Sequence, residues 1–223
     1  MYKHFFKRFF DLILSGVGIV VLAPVWIILA VAIKIDDPGP VFFKQKRIAQ
    51  NKKGQIQYFY ILKYRSMKTS TPKDTPTHLL SNPDQYITKV GKILRKTSLD
   101  ELPQIFNIFG GSMSVIGPRP ALWNQDDLYA EREKYCANDV KPGLTGWAQV
   151  NGRDELEIEV KAKLDGKYVE KLNSDFFTAI AFDIKCFAKT ILSVLKSDGV
   201  VEGGTGEMKK EADKKEEKET VEK

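Results

Sequence analysis

The chain has 223 residues, 43% hydrophobic and 29% charged, with 35 Lys and Arg against 29 Asp and Glu. One long apolar run in so charged a chain excludes a bundle of membrane-spanning helices and fits one domain of ordinary size attached to an apolar segment. Two cysteines, Cys136 and Cys186, and two histidines, His4 and His78, exclude a disulfide framework, a zinc cluster and a histidine-centred catalytic dyad, and point to a reducing compartment.

Leu12 to Ile33 is 22 residues without a charge, about 33 Å as a straight helix and long enough for a hydrocarbon core. Pro24 removes one helical hydrogen bond in its middle, which predicts a break near Leu22 to Pro24. Two geometries follow, a kinked span or a re-entrant pair of half-helices. Lys3, Lys7 and Arg8 precede the run, and Lys34, Lys44, Lys46, Arg47, Lys52 and Lys53 follow it. Positive charge on both flanks gives a single span no orientation but suits two ends on one side, which favours the re-entrant form. Ala30-Val31-Ala32 mimics a signal-peptide cleavage site, but the apolar run exceeds the roughly 7 to 15 residues of a signal core.

Pro40 to Gln45 and Ile56 to Leu62 are rich in β-branched and aromatic residues around the turn signal Asn51-Lys52-Lys53-Gly54, which predicts a β-hairpin. Lys63 and Arg65 stand at the end of its second strand. Thr69 to Pro83, rich in Thr, Ser and Pro, reads as a loop long enough for a lid. Helical spacing resumes at Tyr86 to Leu94 and again after Ser98.

Asp100 and Glu101 follow Arg95 and Lys96 at that helix start. Adjacent acids beside cations suit phosphate chemistry, one attacking phosphorus while the other holds a divalent metal. Ser98-Leu99-Asp100-Glu101 equally fits a capping box, with Glu101 bonded back to the Ser98 amide. Gly110 to Pro120 leaves little room for regular structure, and its Gly117-Pro118-Arg119-Pro120 is either a rigid turn or a preset anion site. Lys141 to Arg153 is a second glycine-rich loop, in which backbone amides could meet a phosphate and Trp147 could pack on a base or ring.

Phe176, Phe177, Ile180, Ile184, Phe187, Ile191 and Val194 recur at helical spacing, either as a helix packed on the core or as one resting in lipid headgroups. The tail from Glu207 to Lys223 has six lysines against seven acids and almost no apolar residue, which predicts a disordered end and leaves the positive charge on the body. A basic body beside a membrane suits anionic headgroups, phosphorylated lipids or nucleotide substrates.

In this order, PVFFKQKR, LKYRSM, LRKTSLDELPQIFN, MSVIGPRP and KPGLTGWAQVNGR, behind a proline-broken apolar segment, resemble the bacterial sugar transferases, the monotopic phosphoglycosyl transferases, in their small form. The resemblance runs to about Gly206. It implies an α+β protein divided into a re-entrant membrane helix (1–35), a mainly helical cytoplasmic catalytic domain with a β-hairpin and interfacial amphipathic helices (36–206) and the charged tail (207–223). The implied reaction moves a phospho-sugar from a UDP-sugar to a polyprenol phosphate, usually undecaprenyl phosphate, and initiates glycan assembly at the cytoplasmic face of the bacterial inner membrane.

By the same resemblance Asp100 is the nucleophile, forming a phosphosugar-aspartyl intermediate and releasing UMP, and Glu101 helps hold Mg²⁺. Lys63, Arg65, Arg95, Arg119, Trp147, Gln149 and Arg153 become substrate-binding candidates, and Pro24 the helix break. The expected partners are the UDP-sugar, the polyprenol phosphate and the cytoplasmic leaflet, with no nucleic acid; a homodimer is left open. The family's break is often Ser-Pro, whereas Ala23-Pro24 offers no hydroxyl at residue 23 to satisfy a freed carbonyl, and no role is carried over for Asp183. The competing classes are a membrane-attached glycosyltransferase that releases UDP, and a non-enzymatic basic membrane adaptor whose acid pair is only a helix cap.

Overall fold

The computed structural model describes residues 2–71, 83–152 and 156–196. A π-helical turn, Tyr2–Phe6, leads into helix α1 (Lys7–Val21), and α2 (Ala23–Asp36) follows after a single residue, Leu22. The axes bend by 62° there. Leu22 has φ −86° and ψ 5°, and Pro24 sits in the first turn of α2, where its missing N–H costs no intrahelical bond. The break therefore lies where the sequence places it. The indole Nε1 of Trp26 donates to the Ile19 carbonyl at 3.3 Å, so an aromatic donor across the bend serves the end of α1 in place of a hydroxyl at residue 23.

Among the described residues no single helix is long and apolar enough to cross a membrane, although α1 and α2 together pass that test of length and composition. The first helix is amphipathic in an inverted sense. Its buried residues are Asp11 and Ser15, while Ile13, Leu14, Val17, Val20 and Val21 are exposed. The polar side is fixed to the body: Asp11 Oδ1 accepts from Ser114 Oγ at 3.0 Å and from the Val115 amide at 2.8 Å. Arg8 donates to the Ile108 and Phe109 carbonyls in the last turn of α4 (Gln104–Gly110). Gly18 faces α4, where a Cβ would stand 2.5 Å from Ile105 Cδ1 and require that side-chain end to shift.

Strands β1 (Phe42–Ile48) and β2 (Tyr58–Tyr64) form the antiparallel hairpin. Lys53 and Gly54 both have positive φ, 52° and 73°, and Lys52 and Gln55 exchange backbone hydrogen bonds around them, a tight turn of the primed kind. The second strand begins two residues later than its composition suggests, which puts Lys63 inside it. Next come α3 (Lys89–Lys96), a 3₁₀ turn at Leu99–Glu101 and α4.

Gly110 to Pro120 is more regular than its glycines and prolines suggest. Strand β3 (Ser114–Ile116) pairs in parallel with β4 (Gly143–Thr145). Between them lies α5 (Asp126–Glu133), and α6 (Ile158–Leu172) and α7 (Phe176–Lys196) complete the α+β architecture. One core cluster gathers Ile116, Val140, Trp147, Tyr168, Leu172, Ala179 and Cys186; another joins Ile33 of α2 to Tyr64 and Leu94.

Helix α7 has two different faces. Ala179, Asp183 and Cys186 are buried, and Asp183 accepts from Tyr2 Oη and Lys7 Nζ, tying α7 to the N-terminal turn. Phe177, Ile184 and Ile191 are exposed on the other. The side chain of Val194, most of the Thr69 to Pro83 loop, and the tail from Glu207 lie outside the described residues.

Cys136 is exposed, whereas Cys186 is fully buried and burial pushes its thiol up to about 12. In the folded protein one thiol per chain should therefore react with a maleimide, at Cys136, and two after denaturation. Peptide mapping that placed native label on Cys186 would contradict the packing of α7.

Candidate active site

The acid pair sits between two elements that are distant in sequence. Ser98 adopts the left-handed conformation (φ 56°) after α3 and turns the chain into the Leu99–Glu101 3₁₀ turn. Its side chain makes no capping bond; the Glu101 amide bonds instead to the Ser98 carbonyl. The capping box that the sequence allows is not formed, because the Glu101 carboxylate is drawn to cations elsewhere.

Those cations are Lys63 and Arg119. Alternation along β2 puts Ile61 and Lys63 on its buried face. From there Lys63 Nζ donates to Glu101 Oε1 at 3.1 Å and lies 3.8 Å from Asp100 Oδ2. Arg119 grips Glu101 with both terminal nitrogens, Nη2 to Oε1 at 2.7 Å and Nη1 to Oε2 at 3.3 Å. Asp100, Glu101 and Lys63 are each under a tenth exposed. Burying two adjacent carboxylates is tolerable only with such partners, since each isolated ion would cost several kcal/mol.

Arg119 is presented by close backbone packing. A Cβ on Gly117 would lie 2.4 Å from the Lys141 carbonyl oxygen and 2.9 Å from the Gly143 nitrogen. The glycine loops on either side of β3 and β4 therefore serve first to bring their own backbones together; the Gly117 amide bonds Thr145 O, and the Gly143 amide bonds Pro118 O. Arg132, which sequence reasoning does not single out, donates Nη1 to the Arg119 carbonyl and pairs with buried Asp165.

The other candidates are dispersed. Arg65 pairs with Asp37, at the exit of α2, and donates Nε to the Pro40 carbonyl. The Thr69 amide, with Arg65 beside it, holds the Asp37 carboxyl below its ordinary range. Arg95 donates Nε to Ser66 Oγ at 2.9 Å, next to Arg65 in the chain. Trp147 is a core residue, its ring 4.6 Å from that of Phe182, with Lys189 Nζ 4.7 Å from its centroid. Gln149 bonds inward to the Leu144 carbonyl, and Arg153 lies outside the described residues. Asp37, Arg132 and Asp165 carried no local signal; their ion-pair partners stand 28 or more residues away.

The structure thus brings together Lys63, Asp100, Glu101 and Arg119 as two acids and two cations on rigid backbone, an arrangement suited to an anionic substrate. The chain belongs to the bacterial sugar transferase family, whose model matches residues 2–197. It is 38% identical over 196 residues to the uncharacterized sugar transferase EpsL of Bacillus subtilis, covering 87% of this chain and 89% of that protein. It is also 38% identical over 192 residues to the UDP-glucose:undecaprenyl-phosphate glucose-1-phosphate transferase of Escherichia coli (strain K12), with 83% of this chain aligned. Identity reaches 42% over 195 residues with the undecaprenyl-phosphate glucose phosphotransferase of Komagataeibacter xylinus, again with 83% of this chain aligned. The alignments span only 39% and 35% of the length of those two glucose transferases.

Gly117→Ala should overpack the contact between the two loops and cost about 1–3 kcal/mol. That corresponds to a fall in melting temperature of roughly 2 to 12 °C for a chain of this size. Thermal unfolding in detergent measures it; an unchanged melt would show that the Lys141 to Gly143 backbone gives way at little cost.

Proposed function

We propose that this chain transfers a phospho-sugar from a UDP-sugar to a polyprenol phosphate, undecaprenyl phosphate, releasing UMP and initiating glycan assembly. The observation that carries this reading is the cluster of Lys63, Asp100, Glu101 and Arg119 in a chain of this family. The names of the two glucose transferases above support both substrates.

In this reading Asp100 attacks the β-phosphorus of the sugar nucleotide. A bond forms between its carboxylate oxygen and phosphorus, the bond from phosphorus to the bridging oxygen breaks, and UMP leaves with that oxygen. A phosphate oxygen of the polyprenol phosphate then attacks the same phosphorus, restoring Asp100 and giving the lipid diphosphate sugar. An acid approaching a diphosphate is repelled by it, and Lys63 and Arg119 offset that repulsion with fixed charge. Glu101 holds both cations in place, and Arg95 and Arg65 flank the same end of the hairpin.

Mg²⁺ fits the oxygen donors present. It commonly binds through one or two carboxylates together with substrate phosphates and waters, and among the described residues there is no group of three or more His, Cys, Asp or Glu that could hold a metal ion. Glu101, beside Asp100, would hold it by sharing an oxygen that now accepts from Lys63 or Arg119. When bound it would neutralise charge developing on the departing phosphate.

The inverted amphipathy of α1 supports an apolar medium around the bent pair. A helix on a water-soluble body turns its apolar stripe inward, whereas α1 turns Asp11 and Ser15 inward and its valines outward. We read α1 and α2 as a re-entrant element in the cytoplasmic leaflet of the bacterial inner membrane, with exposed Phe177, Ile184 and Ile191 of α7 in the headgroups. The body then faces the cytoplasm, where the lipid phosphate and the nucleotide meet on one side.

The full chain purified in detergent should release UMP from one member of a UDP-sugar panel, beginning with UDP-glucose, when given Mg²⁺ and undecaprenyl phosphate. Asp100→Asn should lower that release by roughly 10³-fold or more, and chelation should stop it until Mg²⁺ is restored. UDP in place of UMP would assign a glycosyltransferase instead. Full activity in Asp100→Asn would remove the nucleophile, and no turnover of any donor would favour a non-catalytic membrane adaptor.

A further inference from the structure

Three consecutive carbonyls of the loop carrying Arg119 are each taken by a donor from a different part of the chain. Pro118 O accepts from the Gly143 amide at 2.9 Å, Arg119 O from Arg132 Nη1 at 2.9 Å, and Pro120 O from Arg47 Nη1 at 3.0 Å. Proline fixes φ at 118 and 120, and Pro120 keeps residue 119 out of the helical region. The bonds to Pro118 O and Pro120 O restrain the peptide planes that follow those prolines, and the plane that follows Arg119 is left to its own carbonyl. The donor to that carbonyl is Arg132.

Arg132 is equipped to hold it. It is 4% exposed and Asp165 1%. Nε and Nη2 of Arg132 both donate to Asp165 Oδ2, at 2.8 and 2.6 Å, which leaves Nη1 directed at the Arg119 carbonyl. A planar guanidinium held by two of its nitrogens has little freedom in the third. Among the described residues Asp165 Oδ1 has no hydrogen-bond partner, so the pair is built around one oxygen and one fork. Stability alone is a weak reason for a buried ion pair, because apolar residues of similar volume often serve as well.

We infer that Arg132 is a positioning residue for the transfer reaction: held by Asp165, it fixes the Arg119 carbonyl and so the direction from which the Arg119 guanidinium grips Glu101. The inference rests on the reading of Lys63, Asp100, Glu101 and Arg119 as the active site.

A double-mutant cycle on the full chain tests it, using UMP release and thermal melting for wild type, Arg119→Ala, Arg132→Lys and the double variant, at enzyme concentrations that resolve a roughly 10³-fold loss. Lysine keeps the charge beside Asp165 but cannot also reach the Arg119 carbonyl as a rigid fork. Arg132→Lys should lower kcat about tenfold with little change in KM for the sugar nucleotide, and should add less than about twofold in the Arg119→Ala background. Equal losses in both backgrounds, or an unchanged kcat in Arg132→Lys, overturn the inference while leaving the active site standing. An unchanged rate in Arg119→Ala overturns the site itself, and the relay with it. If Arg132→Lys shows no cooperative melt, Asp165→Asn, which keeps an acceptor and loses the charge, goes through the same cycle with the same deciding outcomes.

Discussion

Two carboxylates adjacent in the chain and almost closed to solvent impose a condition on everything around them: positive charge must be delivered to the same spot from elsewhere. Lys63 arrives on a strand 38 residues before Glu101, and Arg119 on a loop 18 residues after it. The hairpin, the turn at Ser98 and the paired glycine loops can each be understood as a means of holding one of these charges still. Desolvated ion pairs reward such rigidity, because a partner that wanders leaves the other buried and uncompensated.

The same requirement explains why the loops are built from glycine and proline. Gly117 admits the opposing backbone, and the prolines on either side of Arg119 stiffen the segment that presents its guanidinium. A surface arginine on a flexible loop would lose more freedom on gripping a carboxylate than one delivered in a fixed orientation.

Features with short-range causes were legible in the sequence. The hairpin turn at Lys53-Gly54, the break before Pro24 and the helical spacing of α7 follow from residues a few positions apart. The family was legible too, through the order of several motifs. What misled were local patterns overruled by distant partners. Ser98 to Glu101 reads as a capping box until Lys63 and Arg119 are present to compete. Trp147 reads as a ring for stacking on substrate until α7 closes over it with Phe182. Strands β3 and β4, three residues each, have no periodicity to detect and exist because their backbones meet. Asp11 stands beside an apolar run with no local signal of its role, because its partners are more than a hundred residues away.

That last separation bears on the order in which the protein can be made. Helix α1 leaves the ribosome before the groups that receive Arg8 and Asp11, which are the carbonyls of residues 108 and 109 and the polar atoms of residues 114 and 115. During synthesis of the intervening hundred residues the apolar segment carries an arginine and an aspartate without their final partners. Its settled position therefore depends on groups supplied by the body that follows it in the chain.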